Sequence, residues 1–186
     1  MPREHDSREL RRDAILTSVK RAVMSHPQPV LIRLYDPARD TQALRDCIVE
    51  QQDFHRAIEP TWPEGETIFN EYLEYLKSQC DEYDGTIIVA EAGEHMVGFV
   101  CVVASAPGAS PDDPALHAWV HDLFVRAEYR HQGVATRLMV EAESFAHQRG
   151  ARVLRLGVLD GNDGAKGFYR GRGFREYVRV MTKRLD

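Results

Sequence analysis

Residues 130–135 read Arg-His-Gln-Gly-Val-Ala, between an apolar run at Leu123, Phe124 and Val125 and a helix-patterned run over 134–148. This spacing predicts a strand that turns tightly onto a helix N-terminus. Such a turn aims several backbone N–H groups at one point, where the helix dipole adds partial positive charge. The chemistry on offer is anion binding of the kind a phosphate group uses. Gly133 lets a ligand approach the backbone with no Cβ in the way. An ordinary strand-to-helix connection carries glycine just as readily, so the turn alone does not choose between a phosphate cradle and a plain turn.

A second segment adds to it. Leu154-Arg155-Leu156-Gly157-Val158 is followed by Asn162-Asp163-Gly164-Ala165, then by Phe168-Tyr169-Arg170-Gly171-Arg172-Gly173-Phe174. Together the two segments resemble the GNAT superfamily of acetyl-CoA-dependent N-acetyltransferases. Arg130, Gly133 and Ala135 match its Arg/Gln-x-x-Gly-x-Gly/Ala turn, with alanine at the second position usually taken by glycine. Asn162, Ala165, Phe168, Tyr169, Gly173 and Phe174 match its second motif. The likeness is specific over residues 119–185, looser over 30–104, and does not extend to 1–28.

The resemblance implies a cofactor-binding set. Leu123, Phe124 and Val125 would meet the pantetheine arm of acetyl-CoA through their backbone, and the turn residues Arg130, His131, Gln132, Gly133, Val134, Ala135 and Thr136 would hold the pyrophosphate. Asn162 and Phe168 would flank the arm, and Tyr169 would protonate or hydrogen-bond the departing sulfur. Asp122, on the strand just before Leu123, becomes the candidate base or amine-binding carboxylate. His121 beside it points to the opposite face of the strand. The segments 51–55 and 58–66 fall where the acceptor pocket is expected by the same analogy, with Asp53, His55, Glu59, Trp62 and Glu64 as candidates to recognise an amine.

Each residue also has a structural reading. Leu123, Phe124 and Val125 can pack in a core while their backbone binds. Arg130 can serve a surface ion pair and Thr136 a helix first turn. Tyr169 can be a core aromatic beside Phe168, Asn162 a helix cap, Asp122 a paired carboxylate, and His121 a satisfied histidine. A water chain can replace a side-chain base. For Asn162 and Asp122 the two readings stand level.

The composition agrees with one globular domain. The chain has 186 residues, 43% of them hydrophobic and 28% charged, with a net charge of −5, which argues against nucleic acid as the main partner. Its three cysteines, Cys47, Cys80 and Cys101, have neither a C-x-x-C nor a zinc spacing and read as free thiols. No metal is expected. No apolar run reaches the 18 residues a membrane helix needs, and the charged N-terminus lacks a signal-peptide core, so the expected location is cytoplasmic.

The elements follow from periodicity. Residues 1–25 carry Leu10, Ile15, Leu16, Val19 and Val23 at helical spacing, and 26–29 form a Pro-rich linker, so 1–28 is expected as an amphipathic helical extension and 29–186 as the acetyltransferase domain. Met24 is an alternative natural start. The pattern then predicts a strand at 30–35, helices at 41–55 and 66–80, strands at 86–91, 96–104 and 118–125, a helix at 134–149, a strand at 153–158, a helix at 164–170 and a last strand at 175–184. A hairpin turn is expected at 92–95 and a polar loop at 107–114. The expected fold is α/β: a mixed, mostly antiparallel twisted sheet with splayed central parallel strands, flanked by helices. The activity implied is direct transfer of acetyl from acetyl-CoA to a primary amine of a small molecule or amino acid. No cysteine lies in the motif regions to carry a covalent acyl intermediate. The alternatives are a non-catalytic acyl-CoA-binding module and an enzyme using another acyl donor. A homodimer is expected by analogy only.

Overall fold

A computed structural model describes residues 29–106, 117–183 and 185. The expected helix at 1–25, its linker and the loop at 107–114 lie outside the described residues. Five strands form one sheet in chain order: β1 (Val30–Leu34), β2 (Gly85–Ala92), β3 (His95–Ala106), β4 (His117–Val125) and β5 (Val153–Leu156). The first four pair antiparallel and β4 pairs with β5 in parallel. Four helices accompany them: α1 (Thr41–Ile58), α2 (Gly65–Glu82), α3 (Val134–Gln148) and α4 (Asp163–Gly171), with a 3-10 turn at Ala127–Tyr129.

The alternation of side chains along the strands divides the interior into two layers. On one face Ile87, Val89, Phe99, Cys101 and Phe124 pack against Leu44, Cys47 and Ile48 of α1 and Phe69, Leu73 and Leu76 of α2. On the other, Val100, Val102, Val120 and Val125 pack against Val134, Leu138, Met139 and Ala142 of α3, with Phe168, Tyr169 and Phe174 at the margin. The buried stripes of α1 and α3 follow the 3.6-residue period that marked them as helices.

Two devices place α1 and α2 on the sheet. A charge network pins the start of α1: Arg33 on β1 donates from Nη2 to Asp40 Oδ1 at 2.8 Å, while Glu91 on β2 accepts from Arg33 and from Arg39. Asp40, just before α1, is buried and also accepts the Asp36 N–H at 2.8 Å. At the other end, Gly65 lets α2 start hard against α1. A Cβ there would lie 2.6 Å from the Val49 carbonyl oxygen, and the Asp53 carboxylate accepts the Gly65 N–H at 3.0 Å.

One expected element is absent. Residues 174–183 form no strand, and Tyr177, Val178, Val180 and Met181 stand exposed. Their apolar pattern specifies a face but supplies no partner, and a strand exists only as part of a ladder. β5 also stops at Leu156, two residues short of expectation, while α1 runs three residues further, to Ile58.

The charge network carries a stability test. Asp40→Ala strands the mostly buried Arg33 guanidinium without its main partner, and breaking such a pair costs about 2–4 kcal/mol. Urea unfolding should report that loss, and a change no larger than an exposed-residue substitution would show that the network does not hold α1.

Candidate active site

β4 and β5 run together only from His117↔Val153 to Val120↔Leu156. Beyond that point β5 has ended, while β4 continues to Val125 paired with β3 alone. The Arg126 N–H donates to Val97 O of β3 at 2.9 Å. Backbone groups of successive residues alternate in direction, so those of Leu123 and Val125 face away from β3, into the gap left by β5. The side chains of both lie in the α3 layer. Core packing and an edge open toward the gap therefore coexist at these residues, except that Val125 O is taken by Arg130. Phe124 differs: its ring belongs to the α1–α2 layer and its backbone faces β3.

The strand leads through the 3-10 turn into α3. His131 has φ of 60° and Gly133, the residue before α3, φ of 79°. These left-handed residues turn the chain so that the first N–H groups of α3, those of Val134, Ala135 and Thr136, have no intrahelical acceptor. A Cβ placed on Gly133 meets no atom within 4 Å, so the approach to the turn is open. Two side chains of the predicted cradle brace the turn. Arg130 Nε donates to Val125 O at 2.9 Å and its guanidinium stacks 5.0 Å from the Phe54 ring centre, while Gln132 Nε2 donates to Glu128 O at 2.7 Å. His131, Gln132, Gly133 and Thr136 are exposed, Arg130 and Ala135 half-buried, and Val134 is buried in the core.

Across the gap stands α4. Asn162 caps it, its Oδ1 accepting the Ala165 N–H at 3.1 Å, so the capping reading of Asn162 holds and its oxygen is committed. Tyr169 is half-buried between Phe168 and Phe174, with ring centres 5.2 and 5.5 Å away. Burial pushes its phenol up to about 12, and the charge of Asp122 adds to the push. The group keeps its proton at neutral pH.

Asp122 is 4% exposed and lies on the α1–α2 side of β4. Gln51 Nε2 of α1 donates to its Oδ1 at 2.7 Å, and the Tyr72 hydroxyl of α2 donates to Oδ2 at 2.8 Å. Both partners are neutral. Burial therefore dominates and raises the carboxyl from 3.8 to about 6, against the pull of these two hydrogen bonds. The pairing with Tyr72 and Gln51 was not anticipated from the sequence. Tyr72 lay on an apolar helical stripe with Ile68 and Leu76, and a tyrosine in such a stripe is the one signal for a polar partner inside. The expectation that His121 faces away from Asp122 fails, because a bulge at His121 breaks the alternation: it too meets α2, half-buried near the exposed Tyr75, whose hydroxyl lies 3.4 Å from its Nδ1, and burial lowers its imidazole.

Of the expected acceptor residues, Asp53 and Glu64 share one cavity and His55 meets Trp62. Asp53 caps α2. The His55 ring meets Trp62 edge-on at 5.1 Å, Glu59 accepts from the Thr61 hydroxyl, and Glu64 pairs with Arg56. Asp53, Arg56, Ala57, Glu64 and Glu66 line a surface cavity of about 510 Å³ at the α1–α2 junction. Ile58 lies against Gly161, which brings the end of α1 to the loop between β5 and α4. Among the described residues, no group of three His, Cys, Asp or Glu side chains is placed to hold a metal, and no helix is long and apolar enough to cross a membrane.

Residues 51–174 match the acetyltransferase (GNAT) family. The chain belongs to that family. The matched span encloses Asp122, the turn before α3, Asn162 and Tyr169, and the protein is an acyltransferase by that membership. It is 39% identical over 116 residues to an uncharacterized N-acetyltransferase of Methanocaldococcus jannaschii, an alignment covering 60% of this chain and half of that relative. It is 26% identical over 122 residues to the uncharacterized N-acetyltransferase YhfO of Bacillus subtilis, covering 59% of this chain and 80% of YhfO. The same fold occurs in a putative acetyl transferase from Pyrococcus furiosus, with a TM-score of 0.67, 19% identity, and 84% and 100% of the two chains covered. It also occurs in an aminoglycoside N-acetyltransferase solved with CoA, with a TM-score of 0.64, 17% identity, and 87% and 97% covered.

The buried carboxyl gives this acetyltransferase a pH signature. Its folded pKa of about 6 lies above the ordinary 3.8, so folding favours the protonated form. The contribution to stability is complete below the ordinary value and lost as pH rises through about 6. The difference corresponds to about 3 kcal/mol. Asp122→Asn keeps the shape without the charge, so it should be more stable than wild type near pH 8 by up to about 3 kcal/mol, with the two converging below about pH 4. Equal stability at both extremes would show that the carboxylate is compensated by charge after all.

Proposed function

We propose that the protein transfers an acetyl group from acetyl-CoA directly to a primary amine of a small molecule or amino acid. The observation that carries the proposal is the parting of β4 from β5 directly before the α3 turn. An extended amide-bearing arm can pair with the Leu123 backbone and the Val125 N–H, which face away from β3, as an added strand would. A pyrophosphate can then rest on the Val134, Ala135 and Thr136 N–H groups, where Gly133 leaves room. Arg130 shapes this edge from the side, since its Nε holds the Val125 carbonyl.

In the reaction the amine nitrogen attacks the thioester carbon. Its C–S bond breaks, and the sulfur leaves with a proton from Tyr169. The amine proton passes to Asp122, through a water or the Tyr72 hydroxyl, because the carboxylate itself is almost closed off. A pKa of about 6 keeps Asp122 ionised at neutral pH yet makes it a stronger base than an exposed carboxylate. Tyr169, protonated at that pH, is suited to give the proton the thiolate needs. Support for a small-molecule acceptor comes from the shared fold of the aminoglycoside N-acetyltransferase.

Three variants test the roles. Tyr169→Phe should lower kcat by about 10²-fold with KM little changed, and wild-type turnover would remove Tyr169 from the chemistry. The acidic limb of kcat/KM should fall near pH 6 and disappear in Asp122→Asn; a limb that persists belongs to another group. Gly133→Glu should abolish CoA binding by repelling the phosphates, while Gly133→Asn, which tolerates a left-handed backbone, should retain much of it. Unchanged affinity in Gly133→Glu would mean that the turn is not the phosphate cradle.

A further inference from the structure

Cys80 and Cys101 are far apart in sequence, and nothing in the acetyl-transfer chemistry uses them. Cys80 lies in the last turn of α2 and is half-buried; Cys101 lies in β3 and is fully buried. Their Sγ atoms are 3.7 Å apart. The backbone around them is tightly held. The Ala104 N–H donates to Tyr83 O at 3.1 Å, and a Cβ on Gly85 would lie 2.7 Å from the Cys80 Cα, so the end of α2 is fastened to the β2–β3 ladder beside the pair. Cys47, the third cysteine, is buried elsewhere, with its thiol 3.9 Å from Met96 O; burial pushes that thiol up to about 11. Either thiol can donate across the S···S contact; that contact lowers the Cys80 thiol and, with burial, raises that of Cys101. The more exposed sulfur is thus the one favoured as thiolate, the arrangement of a nucleophilic cysteine with a resolving partner.

We propose that Cys80 and Cys101 are a modification site, a dithiol that a peroxide converts reversibly to an intrachain disulfide. The Cys80 thiolate attacks one peroxide oxygen; the O–O bond breaks, the other oxygen leaves as hydroxide and takes up a proton, and Cys80 becomes a sulfenic acid. The Cys101 thiol then loses its proton, and its sulfur attacks the Cys80 sulfur and expels the hydroxyl group as water. In sum, two thiols and one hydrogen peroxide give one disulfide and two waters, and two electrons pass from sulfur to oxygen. The bond requires the sulfurs to close from 3.7 Å to about 2 Å. It would tie α2 to the strand residue directly opposite Asp122 in register. Cys80 also lies on the helical stripe that carries Leu76 and Tyr72, so the tether reaches the elements that hold the buried carboxylate. The thiol chemistry does not rest on the transferase reading.

The test uses the folded full chain, treated with hydrogen peroxide or with dithiothreitol, then denatured, alkylated and mapped by mass spectrometry. Of the three cysteines, only Cys47 should be alkylated after peroxide, with a peptide linking Cys80 to Cys101. All three should be recovered after dithiothreitol. Cys80→Ser, a change at a half-exposed position, should leave Cys101 alkylatable after the same treatment. Three alkylated cysteines after peroxide would overturn the proposal, as would a bond that includes Cys47, a bond between chains, or Cys80 oxidised to sulfinic acid without a link.

Discussion

In a sheet, a backbone edge is either paired, covered or left for a partner. β4 pairs with β5 only from His117 to Val120 and with β3 alone from Asp122 to Val125, because β5 ends at Leu156 while β4 runs on to Val125. The remaining features of the site are arranged about that gap. The chain leaving β4 is turned by His131 and Gly133 so that α3 begins beside the open edge. The chain leaving β5 is carried across to α4, where the Asn162 cap fixes the start of the helix that bears Tyr169. Arg130 joins the two sides of the turn by holding Val125 O while stacking on Phe54 of α1.

The second constraint is electrostatic and acts on the other face of β4. A carboxylate almost closed to solvent, held by an amide and a phenol, is less stable ionised than it would be in water. Groups held in this way cluster at functional sites. The α1–α2 pair is pinned to the sheet by Arg33, Asp40 and Glu91 at one end and by the Gly65–Val49 contact at the other. That pinning delivers Gln51 and Tyr72 to Asp122.

What could be read from the sequence was local. The glycine turn, the α3 stripe, the hairpin at Gly93 and the Asn162–Ala165 spacing each lie within a few residues, and each formed as its pattern predicts. Which strands run parallel followed from the family likeness and the element order. What could not be read depends on residues distant in the chain. Tyr72 looked like core until Asp122 was placed against it, 50 residues away. That the Arg130 and Gln132 side chains brace the turn, through Val125 O and Glu128 O, was not written in their spacing. Cys80 and Cys101 looked like unrelated thiols. The apolar alternation at 175–184 predicted a strand, but periodicity carries no information about whether a ladder partner is available. The acceptor is the hardest to read, because Asp53, His55, Glu59 and Glu64 each have a structural task that their residue type does not announce.

The most direct test of the account is the unfolding temperature of the full chain with acetyl-CoA, with CoA and with an unrelated nucleotide lacking the pantetheine arm. A ligand that fills the gap between β4 and β5 binds only the folded state, and at about 100 times its Kd it adds about 2.7 kcal/mol. The account predicts a clear rise with acetyl-CoA and with CoA, and little with the nucleotide. No rise with either CoA species at saturating concentration would contradict it, and the parted strands would then be an unfilled irregularity of the sheet.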